Sequence, residues 1–365
     1  MYLWFAAAID AHSPGGVARN VLELSEGLRA RGHTIRRLYC GKHRWRRNYL
    51  IFALELGIRL VWSLRSHTPD AIIARSTDAS ACLLLKALLH IPVKVVLHNH
   101  GWEERINELE ARAASLNKPA PQTTLLAQLV RFPLLRFTYF AGDGVICGTL
   151  SDIKWLAHRY PARQRHFYIP NGAQLPDEEI CWHYRDTIPS AFLCVGQFSW
   201  RKNVTYCIAL MARLHKKMPN THMTLLGCGP KKPVQEYLRR RHPDLDLELV
   251  PHVSMEAMTD RYQKHPFVMT ASRFEGGHTL VLLEAMAHGC VVFASKIQAH
   301  TEFIHGAANG ILLENIDVEA DCAAIEDALG DKELLHNLRI RARRTAERNL
   351  WSRQVQRLER VIKCL

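Results

Sequence analysis

Short apolar runs alternate with amphipathic stretches along the first half of the chain. The stretch from Gly15 to Arg31 repeats its apolar residues at helical spacing, whereas the runs on either side of it are continuous, as in buried strands. The runs that predict strands are Leu3–Ala8, Ile35–Cys40, Ala71–Ala74, Val93–His98 and Gly144–Cys147. Alternation of strand and helix predicts a parallel sheet with helices on both faces.

A second cycle of the same kind follows a turn at residues 169–172, Ile-Pro-Asn-Gly, and a polar stretch that ends at Pro189. Its predicted strands are Ala191–Val195, Thr221–Leu226, Leu245–Val250, Pro266–Thr270 and Val291–Ala294. The fold class is therefore α/β, with two Rossmann-like domains at 1–172 and 190–348. We expect the active site in a cleft between them. A basic amphipathic helix within 349–365 is expected to pack back toward the first domain.

Length and charge support this division. A chain of 365 residues is long for a single core, and 48% apolar with 23% charged residues is a globular balance. Residues 1–170 carry 23 Lys and Arg against 12 Asp and Glu, whereas residues 171–365 carry 25 against 23. A basic domain indicates an anionic partner, such as an acidic substrate, an anionic membrane or nucleic acid. Nucleic acid is the least favoured of these, because no aromatic stacking platform or binding motif accompanies the charge.

The apolar segments do not predict a membrane span or a leader. The first residues lack a basic region, and the longest apolar run, from Leu50 to Leu64, is interrupted by Glu55 and Arg59. The ten cysteines form no Cys-x-x-Cys pair, and several lie within apolar runs, which is typical of reduced thiols. The sequence thus predicts a cytoplasmic protein, with the inner face of the cytoplasmic membrane as a further location.

Two basic and very apolar stretches leave an alternative open. One is the helix predicted from Tyr49 to Leu64, which follows a basic cluster, and the other is Leu125–Phe140 with Arg131 and Arg136. The residues of the cluster are Lys42, Arg44, Arg46 and Arg47. Such stretches are found both in buried Rossmann helices and in peripheral attachment to an anionic membrane.

Glycine-rich turns provide two candidate anion sites. Gly15 and Gly16 lie between the first strand and the first helix, where backbone amides can approach a phosphate, although the same pair also suits a plain structural turn. Lys202 follows the first strand of the second domain and could neutralise a diphosphate leaving group. A solvated Arg-Lys turn is the alternative there.

The most specific motif runs from Ser272 to Gly289. Glu275 lies on a glycine-rich loop, and a helix is predicted to begin near Thr279, so that loop amides and the helix N-terminus can hold phosphate. Glu284 lies among apolar residues inside that helix and needs a polar partner, for which vicinal ribose hydroxyls are suitable. A surface helix with one buried ion pair is the competing interpretation.

Taken in order along nearly the whole chain, these motifs resemble the family 4 glycosyltransferases of the GT-B fold. Further matches are the Gly-x-Gly-Pro turn at 227–230 and Trp351-Ser352 at the start of the last helix. The resemblance implies a retaining transfer of a sugar from a nucleotide diphosphate-sugar, without a cofactor or a bound metal.

The resemblance also implies a role for individual residues. Lys202 matches the position that holds the donor diphosphate, Glu275 the one that contacts the donor sugar, and His98 a histidine near the reacting sugar. Glu284 matches the ribose-binding position. The remaining donor positions are Gly16, Gln197, Arg201, Gly277, His278 and Thr279. Gly15 and His100 are assigned to the acceptor, and His100 is also an alternative to His98.

Two departures from the family pattern stand out. Gln197 replaces an arginine that usually follows the glycine of the first strand, and we hypothesise that Arg201 or Arg273 supplies the missing charge. Eight residues separate Glu275 from Glu284 where seven are usual, which predicts a wider loop.

The function expected from this resemblance is transfer from a nucleotide sugar, with UDP favoured, to an anionic or lipid-linked glycan acceptor. Bacterial cell-surface polysaccharide or lipopolysaccharide synthesis is the natural setting for such a substrate. Two alternatives remain, a catalytically degenerate partner subunit and a nucleotide-sugar epimerase of the same fold.

Overall fold

The structure is a computed structural model that describes residues 1–10, 15–40, 48–114, 125–161, 165–176, 190–245 and 247–365. The basic cluster before Tyr49, residues 13 and 14 of the first glycine turn, and Pro189 all lie outside the described residues. The chain divides into two compact units. The first comprises residues 1–171 together with 351–365, and the second comprises residues 172–350.

The first unit is built on one sheet in which all paired strands are parallel. Its strands are β1 (Tyr2–Ala7), β2 (Thr34–Tyr39), β3 (Ala71–Ala74), β4 (Lys94–Asn99), β5 (Gly144–Cys147) and β6 (His166–Tyr168). Its helices in the first 171 residues are α1 (Gly16–Ala30), α2 (Tyr49–Ser63), α3 (Ser80–Leu89), α4 (Glu103–Ala114), α5 (Leu125–Ala141) and α6 (Leu150–Arg159). The strand order is β2-β1-β3-β4-β5-β6, so the direction of winding reverses between β1 and β3.

The second unit repeats this architecture with a different strand order. Its strands are β7 (Ala191–Val195), β8 (His222–Leu226), β9 (Leu247–Val250), β10 (Phe267–Thr270), β11 (Val291–Ser295) and β12 (Ile311–Leu313). Its helices are α7 (Val204–Lys217), α8 (Lys231–Arg241), α9 (Met255–Lys264), α10 (Leu280–Ala287), α11 (Gln298–Thr301), α12 (Val318–Gly330) and α13 (Lys332–Arg348). The order β12-β11-β10-β7-β8-β9 reverses between β7 and β10.

These reversals determine where a ligand site can form. In an open parallel sheet the loops diverge at the reversal and leave a crevice at the carboxyl ends of the strands. The loops that follow β1 and β3 lie at that place in the first unit, and those that follow β7 and β10 in the second. The glycine-rich motifs predicted from the sequence lie on these loops or next to them.

The predicted α/β architecture with two Rossmann-like sheets is confirmed, and two strands were missed. Both β6 and β12 have only three residues and lie at an edge of their sheet. All three side chains of β6 are partly buried. Short, half-covered edge strands lack the long apolar run by which the central strands are recognised.

The last helix, α14 (Trp351–Cys364), belongs to the first unit and packs on α1. A Cβ atom on Gly27 of α1 would lie 2.3 Å from Cγ2 of Val355, so only glycine permits this close approach. Glu359 on α14 accepts hydrogen bonds from Arg31 at 2.6 Å and pairs with His33 at 3.1 Å. In the described part of the chain, no helix combines the length and apolar character that a bilayer span requires.

Candidate active site

The loops after β7 and β10 meet at the reversal of the second sheet. The backbone amide of Arg273 donates to the carbonyl of Arg201 at 2.8 Å and ties the two loops together. The Gly-x-Gly-Pro turn after β8 lies against the first of them, since Phe198 N donates to the Cys228 carbonyl at 2.7 Å. Chain segments far apart in sequence are thus hydrogen-bonded to one another at this edge.

Glu275 is the centre of a charged cluster at this edge. Its carboxylate accepts hydrogen bonds from the Lys202 ammonium, from Ser272 Oγ at 2.6 Å and from Arg201 Nη1 at 3.2 Å. Burial alone would raise the pKa of Glu275, but the charges of Lys202 and Arg201 and the hydrogen bonds from Lys202 and Ser272 lower it to about 2. The carboxylate is therefore ionised at neutral pH, and the two cations exceed it by one positive charge.

The two arginines near this cluster have different tasks. The Arg201 side chain is 38% exposed and points one nitrogen at Glu275, so the rest of its guanidinium can meet a ligand. Arg273 instead donates to the Trp200 carbonyl at 3.1 Å and to Asn203 Oδ1 at 2.5 Å, with its guanidinium over the Trp200 ring. Arg273 therefore braces the loop that carries Arg201 and Lys202.

The loop from Glu275 to Thr279 leads into the N-terminus of α10. Gly277 has no neighbouring atom within 4 Å of where a Cβ atom would stand, so this part of the loop is open. Thr279 Oγ1 and His300 Nε2 are 3.0 Å apart, and the His278 ring packs on Phe303 with its Nε2 at 3.6 Å from Glu302. The side chains of His278 and Thr279 thus face inward and hold the loop.

His300 joins this support to the charged cluster. Its Nδ1 lies 2.7 Å from the Ser295 carbonyl, and Ser295 Oγ donates to the Ser272 carbonyl at 2.7 Å. Burial lowers the pKa of His300 to about 4, so the ring is neutral at pH 7. A neutral ring can donate from Nδ1 and accept the Thr279 hydroxyl proton at Nε2. The sequence carried no signal for His300, which lies 25 residues beyond Glu275.

Glu284 lies on α10 and is partly buried. Its Oε2 accepts a hydrogen bond from Tyr262 at 3.1 Å, while Tyr262 is fully buried and its pKa is raised by burial and by the Glu284 charge. The sequence led us to expect a carboxylate enclosed by apolar residues. The structure instead gives Glu284 an aromatic hydroxyl partner and some exposure, because one side of α10 is not covered by apolar packing.

Gln197 also lies at this edge. It directly follows Gly196, at the end of β7, and its side chain is exposed. Gly196 itself lies beside the Lys202 side chain, whose carbons stand 3.5 Å from where a Cβ atom would be. Gln197, Arg201, Lys202 and the loop of Glu275 therefore belong to one side of the second sheet.

A separate cavity of about 290 Å³ lies at the carboxyl edge of the first sheet. It is lined by the loop after β3, by residues at the end of β4 and by Val17, next to Gly15 and Gly16. His100 lines this cavity, whereas His98 is buried beneath it with the two rings 4.4 Å apart. The structure thus gives the cavity-facing position to His100.

Polar atoms in this cavity lack partners among the described residues. Asn99 Nδ2 and His100 Nε2 are buried there without a hydrogen bond, although Ser76 Oγ donates to Asn99 Oδ1. Burial lowers the pKa of His98 to about 4, and burial together with the nearby His98 and Arg75 lowers the pKa of His100 well below its ordinary value. Neutral imidazoles and a free amide suit hydroxyl groups of a sugar.

Charges of both signs line the same cavity. Glu103 Oε1 accepts from Arg75 at 3.5 Å and from Arg131, so two cations share one carboxylate there. Glu110 is a further acidic residue in the lining. Sequence reasoning did not single out Asn99, Ser76 or Arg75, since each acquires its place only when strands β3 and β4 align. Within the described ranges, no cluster of three or more His, Cys, Asp or Glu side chains could hold a metal ion.

Comparison with protein families supports the fold. The family described as "Glycosyltransferase Family 4" matches residues 14–175, and that described as "Glycosyl transferases group 1" matches residues 189–331. Between them they cover both glycine-rich edges and every strand of the two sheets except β1. The chain therefore belongs to the family 4 glycosyltransferases, a class of enzymes with the GT-B fold.

Individual relatives are distant. A GDP-mannose-dependent alpha-(1-6)-phosphatidylinositol monomannoside mannosyltransferase of Mycolicibacterium smegmatis is 22% identical over 253 residues. That match covers 65% of this chain and 61% of the relative, so the chain spans about three fifths of the length of the relative.

Two solved structures share the fold over the full length. Sucrose-phosphate synthase from Thermosynechococcus elongatus superposes with a TM-score of 0.79 at 16% identity, covering 100% of this chain and 98% of that one. The Anabaena protein HepE, solved with UDP and glucose, gives 0.73 at 13% identity, covering 100% and 99%.

Proposed function

We propose that this chain transfers a sugar from a nucleotide diphosphate-sugar to a glycan acceptor with retention of configuration. The observation that carries the proposal is the cluster of Lys202, Arg201 and Glu275 at the reversal of the second sheet. It combines an excess of positive charge with an ionised carboxylate and lies next to a helix N-terminus. A departing diphosphate and a sugar with several hydroxyls need those two kinds of group.

The donor diphosphate would be held by Lys202, Arg201 and the amides that open α10. Negative charge grows on the diphosphate as the glycosidic bond breaks, so fixed cations and helix amides stabilise the transition state more than the bound donor. Arg201, rather than Arg273, would supply the charge that Gln197 lacks. Arg273 is engaged by the Trp200 carbonyl and Asn203.

Glu275 is assigned to positioning rather than to nucleophilic attack. Its two oxygens already accept from three donors, which makes the carboxylate a weak nucleophile. It can keep Lys202 and Arg201 oriented and accept a hydroxyl of the donor sugar. Retention follows from the family resemblance, and the coupling constant of the anomeric proton in the product would measure it.

Glu284 would accept the two ribose hydroxyls of the nucleotide. A carboxylate can accept hydrogen bonds from two vicinal hydroxyls at once, and the Tyr262 hydroxyl donates to one oxygen of Glu284 and orients the carboxylate. We favour UDP as the nucleotide, since HepE was solved with UDP. The mycobacterial relative is named for GDP-mannose, so GDP is the first competitor to test.

The acceptor would occupy the cavity of the first unit, with His100 and Asn99 on its hydroxyls and Arg75 and Arg131 near any acidic group. An anionic or lipid-linked glycan agrees with the positive charge of residues 1–170. The phosphatidylinositol monomannoside in the name of the mycobacterial relative is a molecule of this kind. We place the reaction in bacterial cell-surface polysaccharide or lipopolysaccharide synthesis.

Calorimetric titration with UDP, GDP and ADP tests the donor site first, using the native protein and Glu284→Ala. We expect tight binding of one nucleotide and an affinity roughly 10 to 100 times lower in the variant, the range for a lost charged hydrogen bond. The control is Glu319→Gln, which changes an exposed carboxylate of the same unit. Absence of binding to all three nucleotides would favour a degenerate partner subunit.

Product analysis distinguishes a transferase from the remaining alternative, a nucleotide-sugar epimerase. The matching nucleotide sugar is incubated with and without extracts of bacterial glycolipid, and the products are identified by mass spectrometry and NMR. A glycosylated lipid or glycan supports transfer. An epimerised nucleotide sugar in the absence of acceptor would show the rival epimerase.

A further inference from the structure

Helix α2 is apolar on both of its sides. Phe52, Leu56 and Leu60 are buried against the sheet, whereas Leu54 and Trp62 on the opposite side are 62% and 73% exposed. A surface helix of a soluble protein normally carries polar residues on its outer side. An outer side as apolar as this one indicates a surface that binds a partner.

The two charged side chains of α2 line the same groove as Leu54, Ile58 and Trp62. Glu55 and Arg59 are the only Asp, Glu, Lys or Arg side chains of the helix, and they pair with each other at 2.6 Å, so their charges offset. Ile58, 59% exposed, lies one turn from both Leu54 and Trp62. The exposed stripe of α2 therefore runs the length of the helix.

Neighbouring helices extend the stripe into a face. A Cβ atom on Gly57 would lie 3.0 Å from Ala81 and Leu85 of α3, so α2 and α3 pack closely, and α3 also contacts α5. All three helices contribute to the core on the same side of the sheet. The exposed apolar residues on them are Leu50, Ile51, Leu54, Ile58, Trp62, Leu84, Leu88, Leu89, Leu129, Val130, Phe137 and Phe140. We call this set the outer apolar face.

Exposed apolar residues are concentrated on this face. Among the described residues of the second unit, only Ile316 and Ile340 are large, apolar and exposed. Single exposed apolar residues are normal in soluble proteins, but contiguous patches mark sites of interaction. The second unit has the ordinary pattern, and the first unit does not.

Positive charge borders the face. A groove of about 1320 Å³ between α2 and the edge of the sheet is lined by Ile58 and Trp62 together with Arg36. Arg36 also lies over the Trp4 ring, and the exposed Arg65 follows the end of α2. In the sequence, four further Lys and Arg lie at positions 42–47, which are outside the described residues.

We propose that the outer apolar face docks on an anionic lipid bilayer. Leu54, Ile58 and Trp62 would enter the interfacial region, while Arg36 and Arg65 would meet lipid phosphates. The positive charge beside the face favours an anionic bilayer over a second copy of the chain as the partner. Two copies would bring like-charged borders together, whereas an anionic bilayer is complementary to them.

A flotation assay with vesicles tests the proposal on the full chain, and it does not depend on the identity of the donor. Vesicles of phosphatidylcholine alone are compared with vesicles containing about 30% phosphatidylglycerol, which supplies a negative surface potential. We expect the native protein to float with the anionic vesicles and to be released as salt is raised. Failure to float with anionic vesicles at low salt would overturn the proposal.

The variant Leu54→Gln/Ile58→Gln/Trp62→Gln replaces only exposed side chains, so the fold should persist. Its partition to anionic vesicles should fall roughly 100-fold, because three apolar groups no longer enter the interface. The matched control is Ile316→Gln/Ile340→Gln, which removes exposed apolar side chains of the second unit and should bind as the native protein does. Equal partition of the two variants would also contradict the proposal.

Sedimentation velocity of the same proteins without lipid tests whether a second copy of the chain covers the face instead. A concentration-dependent dimer that the triple variant abolishes, in a protein that ignores vesicles, would assign the face to a second copy. Nucleotide titration of the triple variant shows separately whether the proposed donor site is intact. Its donor site lies in the other unit and should keep the native affinity.

Discussion

A Cβ atom on Gly227 would lie 1.7 Å from the carbonyl oxygen of Gly196. The two glycines therefore bring the ends of β7 and β8 together backbone to backbone, and Gly196 N donates to the Leu226 carbonyl at 3.0 Å. A side chain cannot be accommodated at Gly227 because the obstacle is a main-chain atom. This contact sets the start of the loop that carries Arg201 and Lys202.

Gly227→Ala should consequently destabilise the second unit by about 3 kcal/mol, the upper end of the usual range for a steric clash in a packed region. Denaturant unfolding, together with nucleotide titration of the folded fraction, measures the effect. Gly330→Ala is the control, because no atom lies within 4 Å of the added carbon at the end of α12. Similar stabilities of the two variants would show that the loops can separate without cost.

The two arginines near Glu275 should respond differently to truncation. Arg201→Ala should lower donor affinity roughly 10-fold and leave the melting temperature unchanged, because the Arg201 side chain is 38% exposed. Arg273→Ala should lower the melting temperature as well, since the Trp200 carbonyl and Asn203 lose their donor. Thermal melts and titration distinguish the two. Unchanged donor binding and turnover in both variants would refute our explanation of Gln197.

Glu275 and Lys202 should act as a unit in catalysis. Glu275→Gln and Lys202→Met should each lower kcat by about 100- to 1000-fold, the range for loss of one preorganised electrostatic group. The double variant should be little worse than either single one, because each residue positions the other. Steady-state kinetics with Glu319→Gln as the unaffected control measures this, and strictly additive losses would contradict the pairing.

The cavity of the first unit should control the acceptor and not the donor. His100→Ala should raise the acceptor KM roughly 10-fold, because a hydroxyl partner is removed from a buried site, while nucleotide affinity stays unchanged. Initial rates at varied acceptor, together with nucleotide titration, provide the readouts. A parallel loss of nucleotide affinity would place His100 in the donor site instead.

Glu359 should make the stability of the first unit sensitive to acid. Hydrogen bonds from Lys363, Arg31 and His33 lower the pKa of Glu359 to about 2, although burial opposes them. Its contribution is therefore present above the ordinary pKa of about 4.5 and is lost as the pH falls toward 2. Glu359→Gln should lower the free energy of unfolding at pH 7 by about 1 to 2 kcal/mol, and the difference from native should shrink below pH 4.

Urea unfolding at several pH values measures this difference. Glu26→Gln is the control, because Glu26 is 44% exposed and pairs with Arg29 at the surface, where ion pairs contribute little. A native-minus-variant difference that stays constant from pH 7 to pH 3 would show that Glu359 is not held in its charged form.

Several features follow from the sequence by itself. Continuous apolar runs and helical periodicity predicted the alternating strands and helices of both sheets, because buried parallel strands and amphipathic helices leave local patterns. The glycine-rich motifs located Lys202 and Glu275 on loops at strand ends, where parallel sheets bind ligands. The family resemblance then led to the class of enzyme.

Other features were decided only by tertiary structure. The sequence could not choose between His98 and His100, because only the packing of β4 buries one ring and turns the other toward the cavity. Nor could it show that Ser295 and His300 support the loop of Glu275. The apolar side chains of α2 looked alike in the sequence, yet one side of the helix is covered by the sheet and the other is exposed. Local pattern encodes the secondary structure of a segment, whereas burial and side-chain partners depend on elements that are distant along the chain.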